Sequence, residues 1–65
     1  MTLSDYMDWK ELRHAEMAKR LGVSREHVTM LLSGARAPSL ELAIKIERET
    51  GGNVPVAIWS AGAAA

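Results

Sequence analysis

The chain contains no cysteine, which excludes disulfides, thiol nucleophiles and cysteine-ligated metals together. Phenylalanine is absent as well, and the aromatic complement is two tryptophans and one tyrosine. Any core must therefore be built mainly from aliphatic and methionine side chains. Only two prolines interrupt the chain, so long stretches are free to be helical. No apolar run reaches the ~20 residues that span a bilayer: the longest, 54–65, is broken by Pro55, Ser60 and Gly62. No basic, apolar leader opens the sequence, which points to a cytoplasmic protein without a membrane segment. Net charge is lacking too, being formally zero, and nucleic-acid-binding domains are usually basic. At 65 residues there is room for one domain, 1–65, and a small core, so burial of further surface in an oligomer suits the size.

The zero balance hides an uneven distribution. Residues 13–36 carry Arg13, Lys19, Arg20, Arg25 and Arg36 against Glu16 and Glu26, a net +3, while 1–12 carry −2 and 37–65 carry −1. The positive segment is also where the helix signals concentrate. Ala18 and Leu21, then Val28 and Leu31, recur at helical spacing. Gly22 falls between the two runs, where a left-handed residue ends a helix, and Ser24 is placed to cap the next one. Residues 14–34 thus read as helix, tight turn, helix.

In the second of these helices, successive residues lie about 100° apart. Val28, Leu31 and Leu32 then share one face, while Arg25, Glu26, Thr29, Met30 and Ser33 share the other. Arg25 can bond guanine O6 and N7 in a fork, Glu26 can accept from cytosine N4, and the helix start favours phosphate. Composition alone fits an ordinary solvated face equally well.

Residues His14 to Ser24 run polar, Ala, Glu, apolar, Ala, two variable, apolar, Gly, apolar, Ser. The pattern continues in register through Val28, Leu31, Ser33, Gly34, Arg36, Pro38 and Ser39. This resembles the Cro/cI-type helix-turn-helix regulators, the xenobiotic-response-element family of phage and bacterial repressors, over about residues 12–52. The resemblance implies an all-α, five-helix, lambda-repressor-like DNA-binding domain. It further implies a sequence-specific transcriptional regulator, a repressor acting as a homodimer on a palindromic operator in double-stranded DNA. By register with the family, Arg25, Glu26, Thr29 and Met30 face base edges in the major groove, while His14, Ser24, Ser33 and Arg36 touch the DNA backbone; His27 is a further candidate contact. The alternative within reach of the same fold is an antitoxin, or another interaction module, that binds a toxin or other protein through its fourth and fifth helices and represses its own promoter.

Two residues depart from the family pattern. Arg13 stands where an N-capping Thr or Ser is usual, which removes a side-chain acceptor worth about 1 kcal/mol. His14 stands where Gln is common, a residue that touches a phosphate and braces the first residue of the reading helix. A histidine brings a pH dependence that an amide lacks. A solvated histidine at a helix start is the plainer alternative.

Elsewhere the chain supplies packing. Thr2 caps a first helix with Asp5 in its first turn; Leu3, Tyr6 and Met7 face inward and Trp9 lies off that stripe. Ser39 caps a fourth helix running to about Thr50, with Leu40, Leu42, Ala43, Ile44 and Ile46 apolar and Glu41, Lys45 and Glu49 on the solvent side. Gly51 and Gly52 stop it, and a short fifth helix follows Pro55. Leu3, Met7, Leu12, Met17, Ala18, Leu21, Val23, Val28, Leu31, Leu40, Ala43, Ile44 and Val54 suffice for the core. Val56, Ile58 and Trp59 are then left for a dimer surface, although Trp59 could equally lid its own core. Residues 60–65 carry no charge or pattern and are expected to fray. The two histidines, thirteen apart without a third ligand, make no metal site, and no catalytic triad or cofactor motif is present.

Overall fold

The computed structural model describes residues 1–59; the tail expected to fray, 60–65, lies outside them. Four helices follow in order: α1 (Leu3–Lys10), α2 (His14–Leu21), α3 (Arg25–Ser33) and α4 (Leu40–Glu49). A fifth helical segment begins at residue 57, its first turn closed by bonds from the Ile58 and Trp59 N–H groups to the carbonyls of Pro55 and Val56. Among the described residues the fold is all-α.

Each helix starts where its cap chemistry permits. Thr2 Oγ1 accepts from the Asp5 N–H while the Asp5 carboxylate accepts from the Thr2 N–H, a reciprocal capping box. Ser24 and Ser39 cap α3 and α4, accepting from the N–H groups of His27 and Leu42. The α2 start is different. Arg13 has the extended backbone of an N-cap but no acceptor in its side chain, so only the return half of a box forms, with Glu16 Oε1 accepting from the Arg13 N–H at 3.2 Å.

Packing of α2 against α3 and α4 closes a core of Leu3, Tyr6, Met7, Met17, Ala18, Leu21, Val28, Leu31, Ile46 and Val54. Leu12, Val23, Leu32, Leu42, Ile58 and Trp59 pack against it, half-buried. Two expected core residues are exposed instead: Leu40 is 68% exposed and Ile44 37% exposed, whereas Ile46 is fully buried. Helix α4 turns Ala43, Ile46 and the following Thr50 inward, and at about 100° per residue this leaves Leu40 and Ile44 roughly 120° and 160° from Ile46. An apolar set spread over most of a helix circumference cannot all face one neighbour. Trp9, 57% exposed, meets the Tyr6 ring edge-on at 6.0 Å and carries the Lys10 ammonium 4.1 Å above its face.

The polar exception in the core is Thr50. Its hydroxyl donates to the Ile46 carbonyl at 2.7 Å and accepts from the Val54 N–H at 3.1 Å. Glu47 Oε1 accepts from the Val56 N–H at 3.1 Å. These bonds fix the chain after α4 back onto that helix, so residues 54–59 cover the bottom of the core.

Candidate nucleic-acid interface

Helices α2 and α3 are joined by three residues, Gly22, Val23 and Ser24. So short a corner requires a left-handed backbone at its first position, and Gly22 supplies it with φ of 72°. A Cβ there would approach Lys45 Nζ at 3.3 Å, the yielding end of a flexible side chain, so the dihedral rather than crowding is what selects glycine. Gly34, with φ of 81°, ends α3 in the same way.

The corner presents one side of α3 to solvent. Val28 and Leu31 are buried, whereas Arg25, Glu26, Thr29, Met30 and Ser33 are all exposed. Between the starts of α2 and α3 lies an open cleft of about 420 Å³ lined by Arg13, His14, Ala15, Arg25 and Thr29. Two arginines and a histidine thus line one cleft at the starts of two helices, where unpaired backbone N–H groups add to the positive potential.

His14 does not brace the first residue of α3 through that residue's side chain. Its Nδ1 lies 3.0 Å from Thr29 Oγ1, the fifth position of the helix, and the Thr29 hydroxyl in turn donates to the Arg25 carbonyl at 3.1 Å. A carbonyl has no proton to give, so both contacts are hydrogen bonds only when the imidazole is the donor at Nδ1. With Nδ1 as the donor, the state of the other ring nitrogen follows. In the neutral ring Nε2 is a bare acceptor, and it becomes a donor only in the imidazolium. The 15-residue separation of His14 and Thr29 gives no periodic signal within either helix, so only the crossing of α2 over α3 brings the pair to light.

The other expected contact residues fall in distinct settings. Ser24 accepts from the His27 N–H and keeps its own hydroxyl proton to give. The Ser33 proton goes to the Met30 carbonyl, and its oxygen accepts from the Ala35 N–H, so it reaches a phosphate only by releasing the end of α3. Arg36 is exposed in the loop beyond α3, its backbone N–H anchored on the Met30 carbonyl. His27 is half-buried and lines a separate groove with Val23, Ser39, Glu41, Leu42 and Lys45, away from the cleft that holds His14. Val56, Ile58 and Trp59 are all half-buried, the last two packed on the chain's own core.

A helix-turn-helix family model matches residues 3–55, most of the chain and all four complete helices. The chain belongs to the Cro/cI-type helix-turn-helix family. Comparison with curated proteins and with solved structures found no match. Membership makes this Cro/cI-type domain the DNA-binding part of a transcriptional regulator, and the family is regulatory rather than enzymatic. Among the described residues no helix of the domain is long and apolar enough to cross a membrane.

Proposed function

We propose that the protein is a sequence-specific repressor that binds a palindromic operator as a homodimer and acts by occluding a promoter. The observation that carries this reading is the junction of two surfaces: the exposed face of α3, with Arg25, Glu26, Thr29 and Met30, and the cleft beside it to which Arg13 and His14 bring cationic side chains. The first has the donors, acceptors and apolar groups that discriminate base edges, and the second has the charge that holds phosphate.

In this reading α3 lies in the major groove. Arg25 reads a guanine, Glu26 accepts from a cytosine, and Thr29 and Met30 extend the contact along the groove. His14, Ser24 and Arg36 hold the backbone, and Ser33 joins them by exchanging its bond to Met30. The net +3 of residues 13–36 gives modest non-specific attraction per subunit, so two subunits are needed for tight binding. Half-site centres then lie about one helical turn, ~10 bp, apart. The proposed dimer surface is Val56, Ile58 and Trp59. It is supported by the exposed Leu40 and Ile44, which share a side of α4 with Glu47, the residue bonded to Val56.

Selection of bound fragments from random DNA, followed by sedimentation on the recovered duplex, tests the reading. Enrichment of a palindrome bound by two subunits is expected. Absence of any enriched sequence, or one subunit per palindrome at saturation, refutes it.

A further inference from the structure

Thr29 lies within the exposed face of α3, one turn beyond Arg25 and next to Met30. By chemistry alone a threonine in such a place is ambiguous, because its hydroxyl can bond several base edges and its methyl can touch a thymine. The structure removes half of that ambiguity. The hydroxyl hydrogen is committed to the Arg25 carbonyl at 3.1 Å, and an oxygen lone pair takes the His14 Nδ1–H at 3.0 Å. A helical threonine has two accessible χ1 wells, and bonds to its own helix and to a neighbouring one together hold the side chain in one of them. What Thr29 still offers is the Cγ2 methyl and a second oxygen lone pair, so its hydroxyl can accept but no longer donate.

A methyl pressed against a polar base edge would strip that edge of water and give no hydrogen bond in return. The apolar group that the major groove does present is the C5-methyl of a pyrimidine. We infer that Thr29 reads one C5-methyl pyrimidine in each half-site through Cγ2, with its hydroxyl hydrogen held in an internal lock rather than donated to a base. This rests on α3 being the recognition helix, as proposed above, and specifies what one of its residues recognises. In unmodified DNA the base is thymine; 5-methylcytosine offers the same methyl.

The test uses the full chain and the operator recovered by selection, with each thymine replaced singly by deoxyuridine. One position per half-site is expected to lose about four-fold in affinity, the worth of a single methyl at ~0.8 kcal/mol. Thr29→Ser, which keeps the hydroxyl bonds, is expected to bind the thymine and uracil duplexes alike. Thr29→Val, which keeps a methyl, is expected to retain the difference. At the same position, 5-methylcytosine is expected to bind about four-fold tighter than cytosine. A uracil penalty that persists in Thr29→Ser would overturn the inference by moving the contact to Met30, and so would equal binding of cytosine and 5-methylcytosine by the unaltered protein. Failure of the recognition-helix reading looks different: Arg25→Ala would then leave the preference for operator over scrambled DNA intact.

Discussion

His14 should make DNA binding take up a proton. The Thr29 hydroxyl gives its hydrogen to the Arg25 carbonyl and receives the His14 Nδ1–H, so a phosphate in the cleft can be met at Nε2 only by the imidazolium. A hydrogen bond to a charged group is worth about 1.5–3 kcal/mol, roughly ten- to a hundred-fold in affinity per subunit. The sign follows from linkage. The phosphate stabilises the protonated ring, so the contribution is fully present where the free ring is already charged. Binding that takes up a proton weakens as pH rises, at up to about tenfold per pH unit per subunit. Arg13, Arg25, Glu16 and Glu26 are the other charged groups around the cleft, and between about pH 6 and about pH 8 histidine is the side-chain type whose charge changes. Fluorescence anisotropy on a labelled operator across that range measures the slope. His14→Gln is expected to bind with a flat profile, because an amide donates without taking up a proton. Thr29→Val is expected to flatten it too, by a different route: with the hydroxyl gone, a neutral ring can carry its proton on Nε2. A slope that survives both substitutions and disappears in His27→Gln would refute the tautomer argument and move the effect to the groove beside α4.

Arg25→Ala is expected to cost about 1–3 kcal/mol on the operator and little on scrambled DNA, whereas Arg36→Ala should weaken both and reduce the salt slope by about one per subunit; identical behaviour in titrations at several salt concentrations would discard the proposed division of roles. Thr50→Val should destabilise by about 1–2 kcal/mol, since it orphans the buried Val54 N–H, and thermal unfolding should register a fall of several degrees. Trp59→Ala is expected to weaken self-association in sedimentation more than it lowers the melting temperature of the monomer, and the opposite ordering would assign that ring to the core alone. Arg13→Ser should complete a Ser-x-x-Glu capping box with Glu16 and raise stability by about 1 kcal/mol, while lowering DNA affinity in the same preparation.

The helices and their corners were legible because each is written in a few residues with local causes. Thr2, Ser24 and Ser39 cap, Gly22 and Gly34 take the left-handed backbone, and Val28 and Leu31 mark the inward side of α3. Three features were not legible. The first helix ends at Glu11 with φ of 55°, a conformation that no glycine announces there. On α4, Leu40, Ile44 and Ile46 look equally apolar, and the choice of Ile46 as the buried one follows from how α4 lies on α2, which is a tertiary fact. Thr50 reads in sequence as the last residue of a helix, yet its hydroxyl joins α4 to residue 54 across the core. The site divides the same way. Its exposed face follows from helical period, but the bond between His14 and Thr29 links two helices, and the state of its proton follows from a third residue, Arg25.

The two departures from the family pattern, Arg13 and His14, adjoin each other in the cleft, and their physical effects run in one direction. An N-capping side chain would satisfy a backbone N–H of α2 from within the protein. Arg13 leaves that group to an outside acceptor and adds a permanent positive charge next to it. A glutamine at the next position would offer both a donor and an acceptor in every state, whereas His14, its Nδ1 committed to Thr29, offers the cleft a donor only when charged. Both changes withhold satisfaction from the free protein and supply it when an anion arrives, so each moves free energy from folding to binding. For a domain this small, with a net charge of zero, that transfer strengthens the grip on phosphate with charge placed in the cleft itself, and Glu16, bonded to the Arg13 backbone at 3.2 Å, keeps the start of α2 from unwinding.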